Sequence, residues 1–215
     1  NVVFATLCET STGVVHDIQA IAALTRQSPA VLAVDAMSGL LADECQTDAW
    51  GVDVLVTGSQ KGLMLPPGLA FISLSARAWA LVEQAKSPRF YTDLRLYRKA
   101  LKQDDTPFTS AVSTVVAFDE AVKLILREGL PRMMQRCAQL AHATRTAMEA
   151  LGLTLFAARP SNGVTSVKVP DGIDGKQLTK LMYEKWRVMV AGGQGDMAGK
   201  IRERVALGNP VPCHA

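Results

Sequence analysis

Apolar positions along the chain fall into two alternating rhythms. Nearly continuous apolar runs at residues 2–7, 30–34, 52–57 and 68–74 read as strands, the second of them ending at Asp35. Residues 16–26 instead carry Ile18, Ile21, Ala22 and Leu24 at helical spacing, and 76–85 reads as another helix. Gly39 and Gly51 punctuate the crossover between the second and third strands, which has the length a parallel connection requires. Apolar strands without polar alternation are those buried on both faces. The pattern therefore predicts an α/β fold with a mainly parallel sheet covered on both sides.

The rhythm changes after residue 86. Residues 86–107 are polar and arginine-rich with little periodicity, and read as a surface or interface excursion. A long helix is predicted over 110–128, stopped by Gly129 with Pro131 beyond, and a second over 132–150, closed by Gly152. Residues 164–169 alternate like an edge or half-exposed strand. A helix over 175–185 and a strand over 188–191 complete a small α+β module. The predicted division lies near residue 130. Residues 1–130 form part of a large α/β domain with its connecting helix, and 131–215 a smaller C-terminal α+β domain.

Composition narrows the function. The 215 residues are 48% hydrophobic and 20% charged, with a formal net charge of +3. Basic residues are dispersed and aromatics make up only 6%, so the stacking and phosphate-binding surface of a nucleic-acid binder is not expected. No apolar run reaches membrane-spanning length. The first residues already read as a strand, which predicts a piece of a longer protein. Cys8, Cys45, Cys137 and Cys213 lack the close pairs of zinc sites, and His16, His142 and His214 are equally scattered, so no metal centre is predicted. Reduced thiols and a cytoplasmic location are expected.

In parallel α/β sheets, ligands gather at the carboxyl ends of the strands. Three such ends are polar here: residues 10–13, Asp35, and the GSQK stretch at 58–61. A carboxylate at the end of an apolar strand is costly to bury unless a cation meets it. Asp35 and Lys61 therefore read either as a structural ion pair or as parts of a cofactor site. Pyridoxal 5′-phosphate chemistry needs a lysine amine, a carboxylate facing the pyridine nitrogen, and small or hydroxyl residues where the cofactor presses against backbone.

The ordered triplet ETSTG (9–13), VDAMSG (34–39) and TGSQKG (57–62), with PPG at 66–68, resembles the class V aminotransferases of fold type I, in their alanine–glyoxylate and serine–glyoxylate branch. The resemblance runs to about residue 200. It implies that Lys61 forms the Schiff base with pyridoxal 5′-phosphate, Asp35 partners the pyridinium, Thr10 sits by the 3′-oxygen, and Gln60 contacts the cofactor beside the lysine. Thr106 and Thr109 resemble the segment that reaches across a homodimer interface to the cofactor phosphate; a hydroxyl just before a helix can equally be an N-cap. The glycine- and serine-containing phosphate loop and the ring-stacking aromatic of the family lie upstream of these motifs and outside this sequence. Leu7 stands where the family commonly has histidine. The GGQG stretch at 192–195 looks familial, but the place of the arginine that clamps the substrate carboxylate holds Glu203, between Arg202 and Arg204, of which Arg204 is the candidate.

The implied reaction is transfer of an amino group from a small amino acid, serine or alanine, to glyoxylate, a 2-oxo acid. Cysteine desulfuration on the same fold is the nearest alternative, but its pattern has histidine before the lysine, where this chain has Gln60. A catalytically inert fragment acting as a binding or assembly module is the other.

Overall fold

In the computed structural model, which describes residues 1–193 and 197–205 (backbone alone for 202–205), three strands run parallel with their carboxyl ends on one edge. The chain opens with β1 (Val2–Thr6), a short hairpin of β2 (Cys8–Glu9) and β3 (Val14–Val15), and helix α1 (Ile18–Thr25). β4 (Val31–Asp35), α2 (Thr47–Trp50), β5 (Val54–Gly58), β6 (Ala70–Leu74) and α3 (Ala76–Gln84) follow. The sheet order is β1-β4-β5-β6, parallel except for β6, which returns antiparallel to β5. Thr6 pairs with Asp35, and Asp35 with Val56, so the register brings these strand ends level.

Burial holds the register on one face. Leu32, Val34 and Leu55 pack with Ile18 and Ala22 of α1 and with Leu7, all nearly or wholly buried. A one-residue slip would turn these side chains to the opposite face. α1 starts where the Asp17 side chain accepts the backbone N–H of Ala20.

The predicted covering of both faces is met on one face only. Phe4 is 82% exposed, and Val2 and Ile72 also lie open to solvent. The crossover from β4 to β5 forms turns and the one-turn α2, and α2 packs on α1 rather than on the open face.

The remaining elements are α4 (Leu94–Leu101), α5 (Val112–Glu128), α6 (Leu130–Ala150), β7 (Val164–Lys168), α7 (Gly175–Trp186), β8 (Ala191–Gly192) and β9 (Ile201–Val205). Periodicity did not reveal α4. It is a short helix started by Asp93, whose carboxylate accepts Arg95 N–H and the Arg95 guanidinium and also pairs with Arg89. These partners, Arg95 first, hold the Asp93 carboxyl down at about 2. Gly129, at φ +84, joins α5 to α6, and the pair is clamped by a two-pronged Arg136–Glu128 contact at 2.7 and 2.8 Å.

β7, β9 and β8 form an antiparallel sheet in that order. β7 is an edge strand of this sheet but is not half-exposed: it is buried from Val164 to Val167. The segment before it covers the free edge, through the Leu155–Val167 bridge and the Phe156 N–H donated to Ser166 O. Among the described residues no helix is long and apolar enough to cross a membrane.

Candidate active site

The carboxyl edge of the sheet is built from three turns. After β1, the β2–β3 hairpin ties down residues 10–13: Glu9 O accepts the N–H groups of Thr12 and Gly13, and the Glu9 carboxylate accepts both the N–H and the hydroxyl of Ser11. These bonds to Ser11 hold the Glu9 carboxyl below its ordinary range. Thr10 is left facing Ser38, and their hydroxyl oxygens share a hydrogen bond of 2.5 Å. That bond uses one of two hydroxyl hydrogens and leaves the other without an acceptor among the described residues.

Asp35 ends β4. Its Oδ1 accepts the N–H of Met37 at 2.8 Å, and its Oδ2 has no donor among the described residues. The carboxylate is exposed and lies in a concavity of about 480 Å³ walled by Phe4, Thr6, His16, Ala33 and Val56. Lys61 is not among those walls.

After β5, the chain enters the turn that carries Gln60 and Lys61. Ser59, wholly buried, closes it: its hydroxyl donates to Pro66 O at 2.6 Å and accepts Leu69 N–H, while its N–H donates to Leu69 O. Leu63 anchors the far side against Ile125 of α5 and Met133 of α6. Lys61 is half-buried and has no ion pair or side-chain hydrogen bond among the described residues. The structural ion pair with Asp35 is therefore not formed. The charge of Lys61 does reach Cys8, whose thiol burial pushes up to about 11.

Gly62 explains its own identity. A Cβ there would lie 2.3 Å from Leu40 O, so the Lys61 turn rests directly on the turn that follows Asp35. The same close approach, with no positive φ at Gly58 or Gly62, shows that Gly62 serves contact between two protein turns. Gln60 is exposed, with its amide oxygen folded back over Gly58.

Thr10, Asp35, Gln60 and Lys61 thus share one edge. Thr106 and Thr109 lie elsewhere, on an open depression that they line with Tyr91, Phe108 and Ser110. Thr106 Oγ1 donates to Phe108 O. Neither Thr109 nor Ser110 caps α5; Ala111 holds the N-cap position and no side chain caps it. Arg204 sits in β9 opposite Thr165, with its side chain outside the described residues, as are Gln194 and Gly195 of the GGQG stretch. Sequence reasoning missed Ser38, Ser59, Asp43 and Ser161, all buried and polar. Their only signal was a small or acidic residue inside a turn, which many solvated loops also carry. Among the described residues no three His, Cys, Asp or Glu side chains gather as metal ligands, and Cys8, Cys45 and Cys137 are free thiols.

A family model for aminotransferase class-V matches residues 1–203. The chain is 42% identical over 202 residues to a protein named soluble hydrogenase, small subunit, of Synechococcus sp., covering 93% of this chain and 52% of that protein. It is 37% identical over 207 residues to serine–glyoxylate aminotransferase of Arabidopsis thaliana, covering 94% and 52%. Among solved structures, pyridoxamine–pyruvate aminotransferase from Mesorhizobium loti superposes with a TM-score of 0.92 at 33% identity, over 97% of this chain and 55% of that one. The chain spans about half the length of the curated relatives it matches.

Proposed function

Because the chain belongs to the class-V aminotransferase family, we propose that it works in pyridoxal 5′-phosphate-dependent transamination, moving the amino group of serine or alanine to glyoxylate. One observation carries the reading. An unpaired lysine and a carboxylate with one oxygen lacking a donor stand on the same sheet edge, beside a hydroxyl pair with a hydrogen to spare. In kind, these groups match what the cofactor's aldehyde, ring nitrogen and ring oxygen require.

When bound, the cofactor supplies a carbonyl carbon for amine exchange and a ring that takes up the electrons left as the substrate's α-carbon loses its proton. Asp35 would hold the ring nitrogen and keep a proton on it, because a neighbouring negative charge favours the protonated form. Thr10 would offer its hydroxyl to the ring oxygen, and Gln60 would contact the cofactor beside Lys61. Lys61 would hold the cofactor through Nζ and, with that amine free, would carry the substrate's α-proton, first as base and then as acid. Arg204 receives the substrate carboxylate.

The proposal includes a homodimer with Thr106 and Thr109 offered to the phosphate in the other copy's site. Its support is exposed apolar surface: Phe90 and Tyr91 pack on the half-buried ring of Phe108 with centroids 4.8–5.2 Å apart, and Leu101, Val112 and Val116 are exposed. A boundary near residue 130 and a cytoplasmic location belong to the same proposal.

The test is a donor panel. Purified protein loaded with pyridoxal 5′-phosphate is given serine, alanine or glycine with glyoxylate, and cysteine separately. Loss of serine or alanine with matching formation of glycine is expected. Sulfide release from cysteine would move the reading to desulfuration, and bound cofactor without turnover to an inert binding module.

A further inference from the structure

We propose that Asp43 is a positioning residue, which places the Thr10 hydroxyl and the Ser38 hydroxyl bonded to it through a brace formed by residues 159–163; the link to cofactor rests on the reading above. Asp43 lies 118 residues from Ser161 in sequence, yet the two are joined in the interior. Asp43 Oδ2 accepts the Ser161 hydroxyl, and Oδ1 accepts the N–H of Asn162 at 2.9 Å. Ser161 Oγ in turn accepts the N–H of Gly163 at 2.9 Å.

The brace touches both walls that carry the hydroxyl pair. Toward the β2–β3 hairpin, Ser161 N–H donates to Gly13 O at 2.8 Å, Arg159 O accepts Val15 N–H at 2.9 Å, and Pro160 bridges to Val14. Toward the turn after β4, a Cβ on Gly163 would stand 3.2 Å from Ser38 O and 3.3 Å from Ala42 Cβ, so the backbone there lies flat against the Ser38 turn. Asp43 itself belongs to that turn, its N–H donating to Gly39 O at 2.8 Å. Behind the brace, Arg145 of α6 donates through Nη2 to Ser161 O and, at 3.3 Å, to Pro160 O.

One carboxylate thus locks the hairpin bearing Thr10 to the turn bearing Ser38. Burial pushes the Asp43 carboxyl up, against the bonds from Asn162 and Ser161 and the charge of Arg145, which pull it down. A group held buried on these terms has little freedom to relax if a partner is lost. Without it, residues 159–163 no longer hold the two walls at one spacing.

The experiment compares wild type with Asp43→Asn, Ser161→Ala and Thr10→Ala. Amide hydrogen exchange is read on protein without cofactor. Cofactor affinity and the pH midpoint of the bound cofactor's visible absorbance are read on protein with it. A hydroxyl donating to the ring oxygen favours the more negatively charged form of the chromophore, so misplacing it raises the midpoint. Asp43→Asn is expected to speed exchange at Gly13, Val15 and Ser161 by about tenfold while β4 and β5 amides stay protected. It should weaken cofactor binding about tenfold, equivalent to one hydrogen bond to a charged group. The midpoint should move in the direction seen for Thr10→Ala, and the double variant should go no further than Thr10→Ala alone.

Ser161→Ala is expected to give the same signs at smaller size, and it carries the test if Asp43→Asn does not fold. A variant that lowers thermal stability but keeps the wild-type midpoint and affinity would overturn the positioning role. Unchanged exchange at Gly13 and Val15 would overturn the brace itself. If wild type binds no cofactor, the cofactor reading fails and takes the positioning role with it, while the exchange data judge the brace separately.

Discussion

The two ends of the same sheet treat an aspartate in opposite ways. Asp53, just before β5 at the amino edge, is 4% exposed and saturated: it accepts Leu32 N–H, the Ser75 hydroxyl, and Arg77 through both Nε and Nη2, at 2.6–3.0 Å. Asp35, at the carboxyl edge of β4, is exposed and accepts a single backbone N–H. Lys61 on the same edge is also unpaired among the described residues, while Arg77 at the other edge is paired with Asp53. A group with every partner supplied by its own chain holds the fold together. A group left without partners on a braced edge is available to something else. Partner count thus divides the two edges of the sheet where residue type does not.

Substitutions at the two edges sharpen this contrast, and the largest effect is expected at Lys61. Lys61→Ala should lower turnover by about a thousandfold or more, as loss of nucleophile and proton carrier together does, with the melting temperature little changed. A large fall in stability would mean that Lys61 belongs with the saturated groups.

Next come the aspartates, in a crossed pattern. Asp53→Ala should cost about 3 kcal/mol in denaturant unfolding, since it strands buried donors and an arginine, yet leave cofactor binding per folded molecule intact. Asp35→Asn should change stability by less than about 0.5 kcal/mol and lower turnover about a hundredfold. The reverse pattern would break the comparison.

The acid limb tests the same contrast. Burial of Asp53 opposes its charge, but the bonds from Arg77, Leu32 and Ser75 outweigh burial and hold the carboxyl below its ordinary value. Its stabilising contribution is therefore present above the unfolded pKa of about 3.9 and fades as pH falls through the lower folded value. Asp53→Asn should flatten the loss of stability below about pH 4 relative to wild type. Smallest is Ser59→Ala, expected to cost about 1–2 kcal/mol by removing the bonds to Pro66 and Leu69.

What the sequence made legible follows from how local each signal is. The three parallel strands read cleanly because each is an apolar run, and Asp35 and Lys61 stood out because each follows such a run directly. α4 escaped because it is a short, charge-rich helix set by an Asp93 cap rather than by a long apolar face. Burial of β7 escaped because its cover comes from residues 154–156 and from the Gly13 turn, one near and one distant in sequence. The Asp43–Ser161 contact spans 118 residues, and no spacing rule reaches that far. Gly62, whose lack of a side chain lets the Lys61 turn meet Leu40 O, gave no local signal of that contact. The motif residues were visible one by one; the packing that sets their mutual distances was not.

The central claim is that Lys61 is held free for covalent attachment of the cofactor. Purified protein is incubated with pyridoxal 5′-phosphate, reduced with borohydride, digested and mapped by mass spectrometry, alongside Lys61→Ala. The account predicts one dominant adduct, on the peptide containing Lys61, and its disappearance in the variant. Adducts spread over surface lysines at similar levels, or an undiminished yield in Lys61→Ala, would contradict it.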